Sequence, residues 1–309
     1  MKNIVITGSS SGFGYLSTLT LARKSYKVWA TMRNLDTNNA PKKDELLKIA
    51  EKENLNISVI ELDVTQDDSV TTAIRTIIAE DGRIDHLINN AGYMFVGVTE
   101  AYSIAQAKEQ FEVNFFGIVR MVKAVAPHMR KQKEGLLINV TSIAGRLSFP
   151  YFGLYCASKH AVEAYSQALR YELAPFGIEV SIVEPGPFGT NLLFSGPEEA
   201  DRTAFDGYGE HKNTPQAMLQ NFDAFFKGDD APSPQLVADD IAGLVEAPRG
   251  TREERIVSGI DYGALDYNEK VLPIQRSLVR DAFQMPHLLE IAQQKSVKNV
   301  IPKTKDQNL

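Results

Sequence analysis

The chain has 309 residues, of which 43% are hydrophobic and 23% charged, with 21 Gly and 14 Pro; these are the proportions of a globular protein and exclude disorder, collagen-like repeats and coiled coil. The net charge is −6, so no basic face supports nucleic-acid binding, and the basic cluster from Lys295 to Lys305 reads as a solvated terminus. The single cysteine, Cys156, forms no intrachain disulfide and fits a reducing compartment; with it the reading places the protein in the cytoplasm.

In chain order, short apolar runs alternate with helical patterns. Lys2 to Thr7 predicts a strand ending at Gly8, and its apolar run Ile4-Val5-Ile6 is too short for a signal peptide or a membrane span. A helix follows from about Gly12 to Lys24. Lys27 to Met32 is the second strand, Lys42 to Glu53 a charged helix, and Ile57 to Leu62 the third strand. Asp67 to Glu80 is a helix capped by Asp67 or Asp68, and Ile84 to Ile88 is strand four. Ser103 to Lys131 reads as one long helix, with Phe111, Phe115, Ile118, Val122 and Val125 at helical spacing. Leu136 to Val140 is strand five, Gly153 to Phe176 a second long helix stopped by Gly177, and Ile178 to Val183 strand six. Residues 187–234 are rich in Gly, Pro, Asp and Glu, with one helical patch near Gln216 to Phe226; an insertion of that length in a compact domain is usually functional, for example a lid. A helix at Pro234 to Glu246, a strand at Arg255 to Ser258 and a helical tail near Leu278 to Lys295 complete the pattern. Strands separated by helices, most of them without polar alternation, imply right-handed crossovers and a parallel sheet covered on both faces.

The first strand runs into Thr7-Gly8-Ser9-Ser10-Ser11-Gly12-Phe13-Gly14. At the first strand–helix turn of such a sheet, Gly8 suits the tight turn, Gly12 lets the backbone approach a pyrophosphate, and Gly14 lets helix and strand pack closely. The helix N-terminus adds unpaired N–H groups and a positive dipole. The spacing is G-x-x-x-G-x-G, and no Lys-Ser/Thr follows, so it is not a P-loop.

Further motifs recur down the chain. Asp63-Val64 ends strand three, Asn89-Asn90-Ala91-Gly92 follows strand four, Asn114 lies in the long helix, and Ser142 follows strand five. Tyr155-Cys156-Ala157-Ser158-Lys159 has the form Y-x-x-S-K, and Pro185-Gly186 follows strand six with Thr190 just beyond. Taken singly these are ordinary residues: Asp63 is a turn cap, the asparagines are turn formers, and Tyr155 and Lys159 are a routine i, i+4 pair on one helix face. Taken together, and in this order, they make the chain resemble the short-chain dehydrogenase/reductase superfamily over about residues 2 to 260. The segments Trp29 to Arg33 and Tyr155 to Lys159 are similar to those of hydroxysteroid and retinol dehydrogenase-like members.

The resemblance implies an α/β fold, a single-domain Rossmann-like doubly wound parallel sheet of about seven strands, with helices on both faces and a C-terminal helical extension. Residues 1–260 would be the catalytic domain, with a substrate-loop insertion over 187–234, and 261–309 would pack on it. The resemblance also implies a cofactor site formed by Gly8, Ser10, Ser11, Gly12, Phe13, Gly14, Arg33, Asp63, Val64, Asn90, Ala91, Gly92, Tyr155, Lys159, Pro185, Gly186 and Thr190, and a catalytic set of Asn114, Ser142, Tyr155 and Lys159. It further implies an oxidoreductase, a carbonyl reductase or alcohol dehydrogenase. The cofactor brings the hydride; Tyr155 would exchange the proton, Ser142 would hold the substrate oxygen, and Asn114 would help position Lys159 and a relay water. An ammonium ~4 Å from the phenol at an effective dielectric of ~20 is worth ~4 kcal/mol, or roughly three pKa units, which would bring Tyr155 near 7. At the end of the second strand, Met32 stands where NAD-dependent relatives carry an acid, and Arg33 follows; a guanidinium suits a 2′-phosphate, so NADP(H) is favoured over NAD(H). A non-catalytic NADP(H)-binding sensor on the same fold is the alternative.

The five histidines and the single cysteine lack metal-ligand spacing, and Cys156 reads as a packing residue. Substrate contacts are expected from Met94, Phe95, Phe149, Tyr151, Phe152, Phe188, Leu192, Leu193 and Phe194, which imply an apolar or bulky carbonyl or alcohol, although the same residues could equally be core. Relatives commonly form homodimers or homotetramers through the two long helices, and either is expected here.

Overall fold

The structure, a computed structural model, describes residues 2–292. The basic cluster at Lys295 to Lys305 lies outside them, as does the end of the helical tail expected at Lys295. Seven parallel strands form one sheet in the order β3-β2-β1-β4-β5-β6-β7. They are β1 (Asn3–Thr7), β2 (Lys27–Met32), β3 (Ile57–Glu61), β4 (His86–Asn89), β5 (Gly135–Val140), β6 (Ile178–Pro185) and β7 (Arg255–Ser258). The chain works outward from β1 to β3, returns to the middle at β4, and works outward the other way. That reversal between β1 and β4 leaves a crevice at the carboxyl ends of the strands.

Ten helices connect and cover the sheet among the described residues: α1 (Gly12–Arg23), α2 (Ala40–Glu53), α3 (Asp67–Asp81), α4 (Ile104–Phe111), α5 (Gly117–Gln132), α6 (Gly153–Leu173), α7 (Arg202–Gly207), α8 (Thr214–Phe226), α9 (Gln235–Glu246) and α10 (Ala264–Ser277). The two-residue period of a strand sorts its side chains between two cores. Ile4 and Ile6 join Leu21 of α1, Leu46 of α2 and Ile241 of α9 on one face. Val5 between them joins Ile74 of α3, Met121 of α5 and Val162 of α6 on the other. Every residue of β1, β4, β5 and β6 is buried, which explains runs without polar alternation.

Several elements differ from expectation. Helix α2 starts at Ala40 because Pro41 is tolerated in a first turn. Strand β4 starts at His86 because the Gln132 side chain takes both the N–H (3.2 Å) and the carbonyl (2.8 Å) of Ile84. The long helix expected over Ser103 to Lys131 is interrupted by a π-helical turn at Glu112–Phe116, which carries Asn114. The tail helix is displaced: α10 begins at Ala264, contains Pro273, and continues through a π turn at Leu278–Ala282 before a short 3-10 turn at Pro286–Leu289. The insertion over 187–234 is more ordered than expected, since it holds α7 as well as α8. Among the described residues no helix is long and apolar enough to cross a membrane.

Candidate active site

A cavity of about 790 Å³ opens at the carboxyl ends of β1 to β6 and is roofed by the insertion. The turn after β1 forms one wall. Gly8 (φ 72°) and Gly12 (φ 55°) take left-handed conformations that favour glycine. A Cβ on Gly14 would collide with the Gly8 carbonyl oxygen and the Asn90 amide, so helix and turn close tightly only with glycine there. Ser11 caps α1 without a side-chain hydrogen bond, so the first-turn N–H groups have no intrahelical acceptor, the arrangement that receives a phosphate.

The exit of β4 braces this turn. Thr7 Oγ1 accepts from the N–H groups of Asn90 and Ala91, both at 3.0 Å. The Asn90 side chain donates to the carbonyls of Thr7 (2.9 Å) and Gly8 (3.0 Å). Asn90 lines the cavity, yet its amide is spent on the turn. Asp63 is likewise a cap, accepting from the N–H (2.9 Å) and hydroxyl (2.8 Å) of Thr65. Arg33 is exposed at the rim beyond the buried Met32, with its carbonyl held by the Asn39 amide at 2.6 Å.

On the opposite wall Ser142, Tyr155 and Lys159 come together from two elements. Ser142 follows β5, where its Oγ accepts from Ala144 N at 3.0 Å and donates to the Pro185 carbonyl at 3.3 Å. Tyr155 and Lys159 occupy successive turns of α6, and each is 5% exposed. Burial raises the Tyr155 phenol above its ordinary pKa, with a Ser142 hydrogen bond acting the other way. This corrects the expectation of a phenol near 7. The Lys159 ammonium is 5.7 Å from the Tyr155 ring centroid and donates to the Val140 carbonyl at 3.0 Å, so desolvation outweighs it. Burial also pulls Lys159 down to about 8, with the Glu163 carboxylate opposing.

Of the site residues expected from the sequence, all but Asn114 and Gly14 line the cavity. Asn114 is fully buried. Its Oδ1 accepts from Tyr93 N (3.1 Å), and its Nδ2 donates to the Tyr93 carbonyl (3.0 Å) and to Ser158 Oγ (3.1 Å). It reaches Lys159 only through Ser158 and the helix backbone. The sequence reading missed Gln110, four residues earlier, which grips the same loop through Phe95 N and the Tyr93 carbonyl, both at 2.8 Å.

The remaining wall is apolar. Met94, Phe149, Phe152, Leu192 and Leu193 line it as expected, joined by Met218 and Phe222 of α8 and by Tyr262. Those last three were missed, although Met218, Phe222 and Phe226 show the i, i+4, i+8 pattern of one helix face. The expectation fails for three residues. Phe95 is core, stacked on Tyr102 at 5.1 Å, while Tyr151 and Phe194 do not line the cavity, and Phe194 is exposed. Phe188 lines the cavity as expected and also packs into the main core, with its ring edge-on to Phe13 at 5.4 Å. Cys156 is buried in the apolar cluster around Tyr155, and burial pushes its thiol pKa up.

A family model described as short chain dehydrogenase matches residues 2–200. The 3-ketodihydrosphingosine reductase of Bacteroides thetaiotaomicron is 42% identical over 189 residues, 61% of this chain and 65% of that protein. Human retinol dehydrogenase 8 is 39% identical over 196 residues, 62% of this chain and 60% of that protein. The matches thus span less than two thirds of either relative. A solved short-chain dehydrogenase of Streptomyces avermitilis is similar with a TM-score of 0.70 and 28% identity, covering 92% of this chain and 97% of that one. ElxO, solved with NADP bound, has a TM-score of 0.66 and 27% identity over 86% of this chain and 99% of that one. A short-chain dehydrogenase/reductase of Burkholderia phymatum in complex with NAD shares the fold, with a TM-score of 0.71 and 22% identity over 96% and 98%.

Proposed function

The chain belongs to the short-chain dehydrogenase family of oxidoreductases, and on that premise we propose that it is an NADP(H)-dependent enzyme interconverting a ketone or aldehyde with an alcohol, on an apolar or bulky substrate. The observation that carries this reading is that Ser142, Tyr155 and Lys159 open on the same cavity as the glycine turn, beside an apolar wall. When bound, the nicotinamide supplies the hydride to the carbonyl carbon or takes it back. Tyr155 delivers the proton to the oxygen; a phenol that burial keeps protonated at neutral pH suits the reductive direction. Ser142 Oγ donates to the oxygen as negative charge grows on it. Lys159, still charged near neutrality, balances the phenolate left behind. Asn114 positions rather than reacts, by tying the loop at Tyr93 to Ser158 of α6.

The NADP(H) preference rests on Arg33 at the rim and on the absence of an acid at Met32. The substrate class rests on the aromatic and aliphatic wall, and it agrees with the names of the sphingoid-ketone reductase and the retinol dehydrogenase that the chain resembles. A homodimer or homotetramer through α5 and α6 completes the proposal.

The test is a panel of apolar ketones and aldehydes with the wild type and Tyr155→Phe. Turnover falls by about 10²- to 10⁴-fold in the variant, far more than any change in the NADPH dissociation constant from fluorescence titration. Undiminished turnover, or no turnover by the wild type on any carbonyl compound, overturns the reading.

A further inference from the structure

Beneath the floor of the cavity, between α6, β6, β7 and α10, lies a cluster of buried charges that the chemistry above does not use. Glu163 follows Lys159 by four residues and so occupies the same face of α6, one turn on. It is 2% exposed; one carboxylate oxygen pairs with the Arg255 guanidinium and the other has no hydrogen-bond partner among the described residues. The same Arg255 nitrogen reaches Glu184 at 2.6 Å, and Arg255 also donates to Gln167 of α6 at 2.8 Å. Glu184 is fully buried and immediately precedes Pro185 and Gly186 of the cavity. Its second oxygen accepts from Asn268 of α10 at 2.7 Å. Asn268 in turn accepts from Arg146, just after the Ser142 turn, at 2.7 Å.

Two buried carboxylates therefore share one partly exposed guanidinium, and a buried charge without a balancing partner is strongly disfavoured. One turn back on the same face of α6 stands a second cation, Lys159. On its own helix the titratable groups nearest in sequence are Tyr155, Cys156, His160 and Glu163; the charged groups that pack behind Glu163 are Arg255 from β7 and Glu184 from β6, and Arg146 from the segment after β5 joins them through Asn268. From β5 the Val140 carbonyl accepts a hydrogen bond from Lys159. Gly145 lets the Ser142 turn lie directly on this step of the helix, since a Cβ there would stand 2.8 Å from Glu163 Cγ and 3.1 Å from the Lys159 carbonyl oxygen.

We propose that Glu163 is a positioning residue that keeps Lys159 charged, and that Arg255, Glu184 and Asn268 hold Glu163 in place, so that β7 and α10 are part of the acid–base machinery. The inference rests on the reading of Tyr155 and Lys159 as the acid–base pair. The carboxylate of Glu163 opposes the effect of burial on the lysine. Without that charge Lys159 loses its proton at lower pH. Asn268 acts in the same direction at one remove, because its amide favours the charged form of Glu184, which burial and Glu163 otherwise disfavour.

The experiment follows the Lys159 side-chain nitrogen by NMR in protein labelled with ¹⁵N-lysine, assigned with Lys159→Met and titrated from pH 6 to 10. In the wild type the nitrogen titrates near pH 8. In Glu163→Gln the midpoint moves down by about one unit, and in Asn268→Ala it moves down by less. The alkaline limb of the turnover profile moves with it, an effect that a merely structural role would not produce. If Glu163→Gln does not fold, Asn268→Ala alone decides. An unchanged midpoint in the folded variants overturns the proposal. If the wild type reduces no carbonyl compound, the acid–base reading fails by itself, while the nitrogen titration still decides whether the cluster governs Lys159.

Discussion

Single side chains at the rim and floor of the cavity set its chemistry in different ways. Arg33 is exposed and its side chain is free to meet an anion, so its worth is that of charge-assisted hydrogen bonds to a phosphate, about 1.5–3 kcal/mol. Arg33→Ala should therefore weaken NADPH binding by about 10- to 100-fold and leave NADH binding unchanged, as fluorescence titration of both would show; an equal loss for the two overturns the proposed preference. Tyr155 obeys a different balance. Counting one ammonium at a fixed distance from the phenol predicts a lowered pKa, but the position of Lys159, bonded to Val140 and beside the ring rather than at the hydroxyl, lets burial dominate. Residue identity and i, i+4 spacing were readable in the sequence. The direction in which the lysine points was not, because it depends on a carbonyl nineteen residues away in β5.

Among the elements, α8 bears most directly on substrate choice. Its Met218 and Phe222 face the cavity, with Phe222 stacked on Phe226 at 6.0 Å. Removing even one methylene from an apolar pocket costs about 1–3 kcal/mol of discrimination, and a ring is larger than a methylene. Phe222→Ala should raise KM for apolar carbonyl substrates by about 10-fold or more, with the NADPH dissociation constant unchanged, as steady-state kinetics would show; an unchanged KM removes α8 from the substrate wall. The strands were the legible part of the fold. The bounds of β2 and β7 match the sequence reading because β-branched runs there end at clear polar breaks. The helices were less so. The apolar period runs on through Glu112–Phe116, so the π turn left no mark in the pattern. In α10 the apolar residues are largely exposed, as at Leu265 and Ile274, and Pro273 interrupts the run, so periodicity pointed to a helix further along. The candidate site was legible as a set of motifs at strand ends. Asn114 departs from that set because its contacts are to the backbone of Tyr93 and to Ser158, and no spacing rule encodes them.

The molecule as a whole carries an acid weakness at its centre. His86 lies in β4, between Ile4 of β1 and Leu136 of β5, at 2% exposure, and neither ring nitrogen has a hydrogen-bond partner among the described residues. Burial pushes its pKa down to about 3, and the positive charges of Lys2, Arg252 and Arg83 add to the effect. The unfolded chain protonates this imidazole near its ordinary 6.5, whereas the folded chain resists until about 3. Across that window the unfolded state binds more protons, so stability is full above 6.5 and fades as the pH falls towards 3. Each unit is worth about 1.4 kcal/mol, so moving from pH 7 to 4.5 should remove about 2–3 kcal/mol through His86 alone. In His86→Leu that contribution is gone, while every carboxylate contributes as before. Urea denaturation of both proteins at the two pH values isolates it: the wild type should lose about 2–3 kcal/mol more than the variant on acidification. Parallel losses would mean that His86 is protonated within the folded sheet, and that the acid sensitivity of the fold resides in its carboxylates.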